Sequence, residues 1–100
     1  NIASVKNLKK DIDLILSLAL NYCFYVLGYN SKVDEKEILN IVGEIIKKHR
    51  ELRIRANHPD GKDNPQLVKK FYKSLIADML GTADEALEKL SVEVKKTVLP

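Results

Sequence analysis

Lys47 to Tyr72 reads KKHRELRIRANHPDGKDNPQLVKKFY: a basic amphipathic segment, a polar break and a second amphipathic segment. The break, Asn57 to Pro65, holds two of the chain's three prolines and one of its four glycines. Pro59 cannot continue a helix and pushes His58 toward extended backbone, while Asp60-Gly61 is a common turn pair. Asn64-Pro65 then has the form of a helix start, with Asn as cap and Pro at the first helical position. The stretch therefore predicts two helices joined by a tight polar loop that presents its side chains outward, the usual place for binding residues.

Upstream of the break, Ile38, Ile41, Val42, Ile45, Ile46, His49 and Leu52 recur at spacings of three and four. That period belongs to one face of a helix, carried from a capping box at Asp34 to Glu37 as far as about Ala56. Downstream, Leu67, Val68, Phe71, Tyr72, Leu75, Ile76 and Met79 continue the pattern to Leu80-Gly81. Thr82-Ala83-Asp84-Glu85 has the form of a second capping box, followed by Leu87, Leu90, Val94 and Val98 at helical spacing. Toward the N-terminus, Val5, Leu8, Ile12, Ile15, Leu16, Ala19, Leu20, Cys23, Val26 and Leu27 form a broad apolar face, widened by Leu14, Leu18, Tyr22 and Tyr25. A helix this apolar is expected in the middle of a bundle, with Gly28 as the left-handed residue that ends it. No stretch alternates with period two, so the expected fold is all-α: a single domain over 1–100, a small four-helix bundle with helices at about 3–27, 34–56, 65–80 and 83–98.

With 45% apolar and 31% charged residues over 100 positions, the composition suits one globular core. The lone Cys23, in the most apolar stretch, reads as a small buried hydrophobe that has no disulfide partner. The apolar run from Leu14 to Leu27 is interrupted by Ser17 and Asn21 and falls short of the roughly twenty residues of a bilayer span, so no membrane span is expected and the chain reads as soluble and cytoplasmic. His49 and His58 lie nine apart and away from Cys23, which argues against a metal site. Neither a phosphate-binding loop nor a dinucleotide fingerprint is present, and no cofactor or enzymatic activity is expected. Charge is the more informative signal. Between Lys47 and Lys73 nine Lys or Arg residues face three acids, a patch suited to an acidic protein surface or to nucleic acid, unless it is simply a solvated helix face.

His58-Pro59-Asp60 resembles the HPD signature of J-domains, the co-chaperone modules that engage Hsp70 and stimulate its ATPase. The basic helix before it (Lys47, Lys48, Arg50, Arg53, Arg55), the aromatics Phe71 and Tyr72 after it, and Phe24-Tyr25-Val26-Leu27-Gly28, similar to the family's Tyr-x-x-Leu-Gly segment, belong to the same resemblance. It implies a partner of the Hsp70 type, touched by His58, Pro59 and Asp60 and held by a positive surface of Arg50, Arg53, Arg55 and Lys62. Val33 to Ile38, following an apolar helix, is also similar to the tellurite-resistance TerB-type helical domain, over a shorter match. Three other readings stand beside these: HPDG as no more than a helix stop, a structural or regulatory bundle such as an immunity or phage-type protein, and a nucleic-acid-binding helical domain using the 47–73 patch.

Overall fold

Three helices, α1 (Val5–Tyr29), α2 (Glu35–Asn57) and α3 (Pro65–Lys96), make up the protein in a computed structural model that describes residues 5–59, 61 and 63–98. Among the described residues there is no strand, so the all-α class stands. The order is up-down-up. Arg55 pairs with Asp78 and Glu44 with Lys89, so eleven residues back along α2 correspond to eleven forward along α3 and the two helices are antiparallel. Asp13 of α1 meets His49 and Arg53 of α2, and at the other end the Asn30 amide donates to Thr97 Oγ1 at 2.9 Å, placing the C-terminal ends of α1 and α3 side by side.

The expected four-helix bundle is corrected to three helices, because α3 passes unbroken through Gly81 and Thr82 and joins the segments expected at 65–80 and 83–98. Its buried residues explain why. Leu75, Met79, Ala83, Ala86 and Leu90 follow one another at spacings of four, four, three and four, so the core-facing stripe crosses Gly81 without a change of phase. A helical glycine costs about 1 kcal/mol relative to Ala, less than the burial of one leucine contributes, and unwinding at Gly81 would turn Leu90 and its neighbours off the core. Thr82 serves the helix rather than capping a new one, its hydroxyl donating to the Asp78 carbonyl at 2.8 Å. The second capping box, Thr82 to Glu85, accordingly does not form.

The first boundary is corrected in the same way. Gly28 lies inside α1, which continues to Tyr29 with the Asn30 N–H donating to the Val26 carbonyl, and Gly61 is the only described glycine with positive φ. Other local signals act as read. Asp34 caps α2 and accepts from the Glu37 N–H; Asn64 caps α3 and accepts from the Gln66 and Leu67 N–H groups, with Pro65 next in line.

The core is one cluster down the axis, built from Leu8, Ile12, Leu16, Ala19 and Cys23 of α1, Ile38, Ile41, Val42, Ile45, Leu52 and Ala56 of α2, and the α3 stripe. α1 touches both neighbours through this inner column, as expected of a central helix, but three helices cannot surround it. Leu14, Leu18, Tyr22, Tyr25 and Tyr29 on its outer side remain 51–78% exposed. By length and composition α1 also meets the requirement for a membrane span, a character shared with core helices of globular proteins, and its inner column is packed here against α2 and α3.

Candidate functional site

The hairpin formed by α2 and α3 is uneven, with the loop joining the end of α2 to a start of α3 that lies further along the bundle. His58 closes α2, its backbone N–H donating to the Arg55 carbonyl at 3.0 Å, and its side chain is exposed and hydrogen-bonds none of the described residues. Pro59 is half-buried, and Asp60 and Lys62 lie outside the described residues. Gly61 sits at φ +71°, and a Cβ there would collide with the Leu67 side chain, so Gly61 packs closely on the first turn of α3. Glycine is thus required twice at this position, for its backbone conformation and for the space. The Asn64 N–H donates to the Gly61 carbonyl at 2.7 Å and closes the turn before the cap. By the pairing of α2 with α3, Pro65 to about Leu75 project past the end of α2, and Gly61 lies against that projection.

The arginines chosen from sequence have different surroundings. Arg50 is exposed and pairs with no acid among the described residues. Arg53 donates to both carboxylate oxygens of Asp13 at 2.6 Å, bridging α2 to α1. Arg55 donates to Asp78 at 2.8 Å, bridging α2 to α3, with its guanidinium 6.0 Å from the centre of the Phe71 ring. Two of the three arginines therefore hold the helices together. The positive groups left for a partner are Lys47 and Arg50 on the outward side of α2 and Lys69, Lys70 and Lys73 on the projecting start of α3, all exposed and outside any ion pair. Taking Ile46 as the midpoint of α2, the half of the bundle holding the tip carries eleven described Lys or Arg against seven Asp or Glu, and the other half five against six. The positive charge is concentrated at one end.

Sequence reasoning missed Asp13. It joins α1 to His49 and Arg53 in a groove also lined by Leu16, Ser17, Leu20 and Ile46. A carboxylate only accepts, so His49 Nε2–H is the donor in the 2.7 Å bond to Asp13. The Arg53 guanidinium, and after it the His49 ring, hold the Asp13 carboxyl below its ordinary range against a smaller opposing effect of desolvation. Ser17 bonds the Asp13 and Leu14 carbonyls of its own helix, so its hydroxyl is engaged with the backbone and not aimed at His49. The cluster thus lacks an activated nucleophile, and a structural tie between α1 and α2 accounts for each of its bonds. The available signal was an acid inside an otherwise apolar helical run. Cys23 is buried, and desolvation pushes its thiol up, away from the thiolate form. Among the described residues no three His, Cys, Asp or Glu side chains gather as a metal site.

No protein-family model, curated protein or solved structure matches this chain.

Proposed function

We propose that this protein is a small helical interaction module that docks the tip of its α2–α3 hairpin onto an acidic surface of a partner protein, and that the partner is a chaperone of the Hsp70 type. The observation that carries this reading is His58: exposed at the end of α2, its side chain bound to none of the described residues, and beside the concentration of Lys and Arg that pair with no described acid. An exposed ring with no role in its own fold is available for contact, and the positive end steers it toward negative potential. The HPD resemblance supplies the chaperone. With Arg53 and Arg55 engaged across the helices, the supporting surface in this proposal rests on Arg50, Lys47 and the Lys69–Lys73 turn.

The experiment is stimulation of ATP hydrolysis by Hsp70 chaperones, with wild type and His58→Gln compared. Stimulation by the wild type and return to the basal rate with His58→Gln, at unchanged helical content and melting temperature, is the expected result. If HPDG is only a helix stop, neither protein stimulates. Tight binding of wild type to duplex DNA, with affinity falling steeply as salt rises, would move the reading to nucleic acid.

A further inference from the structure

The outer side of α1 is a second surface, separate from the hairpin tip. Leu14, Leu18, Tyr22, Tyr25 and Tyr29 follow one another at spacings of four, four, three and four, one continuous exposed stripe about a third of a turn around the helix from the buried column, with the Tyr25 and Tyr29 rings stacked at 5.4 Å. Single exposed apolar residues are ordinary, whereas a contiguous stripe of five marks an interaction site. We infer that this stripe is the interface of a two-fold homodimer in which α1 pairs antiparallel with α1 of a second copy.

Charge selects this occupant and this direction. The stripe is centred between Asn21 and Tyr22, close to the level of the midpoint of α2. An antiparallel partner centred there brings Leu14 opposite Tyr29, Leu18 opposite Tyr25, and Asp11 level with Lys32 of the other copy. Both Asp11 and Lys32 have exposed side chains free of ion pairs, and two-fold symmetry forms their contact twice, flanking the apolar centre. A parallel pairing would instead set Asp11 against Asp11 and stack the two basic halves. A lipid surface fits less well, because no Lys or Arg stands between Asp11 and Lys32 to meet headgroups along the stripe. The size is also sufficient: five side chains of this kind at these exposures offer about 600 Å² per copy, which reaches the roughly 1,200 Å² total of the smaller specific interfaces.

Sedimentation equilibrium of the wild type, Leu18→Glu, Asp11→Lys, Lys32→Asp and the double charge swap tests the pairing, with circular dichroism as a check on folding. The expected results are a wild-type dimer, a monomeric Leu18→Glu with the same helical content, a dimer dissociation constant raised about three- to tenfold by either single charge reversal, and recovery in the double swap. Because Leu18 is half exposed, loss of folding is not the expected route to monomer; Tyr25→Glu serves as the second variant should Leu18→Glu lose helicity. A wild type that remains monomeric to about millimolar concentration would overturn the inference, the concentration corresponding to the weakest useful affinities. So would a double swap with no recovery, or a chain that stays monomeric in solution and sediments with vesicles of anionic lipid. His58→Gln leaves the dimer unchanged, so failure here is separable from failure of the docking proposal.

Discussion

Leu16→Ala is expected to lower the unfolding free energy by about 2–5 kcal/mol, the range for truncating a buried leucine in a core that relaxes only in part. Leu16 has no exposed surface and lies midway along the inner column of α1, between Ile12 and Ala19, where α1 meets both neighbours. No fourth helix is present to shift into the space. For a domain whose whole stability is about 5–15 kcal/mol, this is a large fraction, and urea denaturation would show it as an early midpoint. Leu20, half-buried at the rim of the Asp13 groove, is expected to cost less. A Leu16→Ala cost under about 0.5 kcal/mol, the usual size for surface substitutions, would place the core elsewhere.

The second large effect is at the centre of α3. Thr82→Pro is expected to destabilise by about 3 kcal/mol or more, because it removes an N–H from the helix interior and sets the ring against the Asp78 carbonyl. The neighbouring Gly81→Ala acts in the opposite direction. Gly81 is helical and exposed, an added Cβ meets nothing within 4 Å, and the replacement should stabilise by roughly 0.5–1 kcal/mol. A chain that broke into two helices at this point would reverse the sign for Gly81→Ala and cut the cost of Thr82→Pro to about that of a lost cap, roughly 0.5–2 kcal/mol. Gly81 would then hold a left-handed conformation that penalises Ala, and Thr82 would stand at a helix start that tolerates Pro. The two variants together thus separate three helices from four, Gly81→Ala by the direction and Thr82→Pro by the size of the change in melting temperature.

What was legible in the sequence was the periodic part and the strongest caps. The inner columns of all three helices, Asp34 before α2 and Asn64-Pro65 before α3 follow from spacing and side-chain chemistry that operate within a few residues. The glycines were read too strongly. Gly28 and Gly81 look like helix ends because glycine often supplies them, yet at Gly81 the apolar stripe keeps its phase on both sides, and packing outweighs a local cost near 1 kcal/mol. The basic patch was visible as composition, but not its division into tying and free groups. Arg53 finds Asp13 forty residues away and Arg55 finds Asp78 across twenty-three, partners that only the bundle brings together. Leu14, Leu18, Tyr22 and Tyr25 are also visible in the sequence as apolar positions, and a central place in a four-helix bundle would have covered them.

The most direct measurement of the docking proposal is amide chemical-shift mapping of the isotope-labelled protein during titration with an Hsp70 chaperone. Binding at the hairpin tip would shift the amides of Arg50, His58 and Lys69 to Lys73 in proportion to occupancy, weaken as salt rises, and leave Leu14 to Tyr29 in place. Shifts confined to the outer face of α1, or a spectrum unchanged at saturating chaperone, would contradict it.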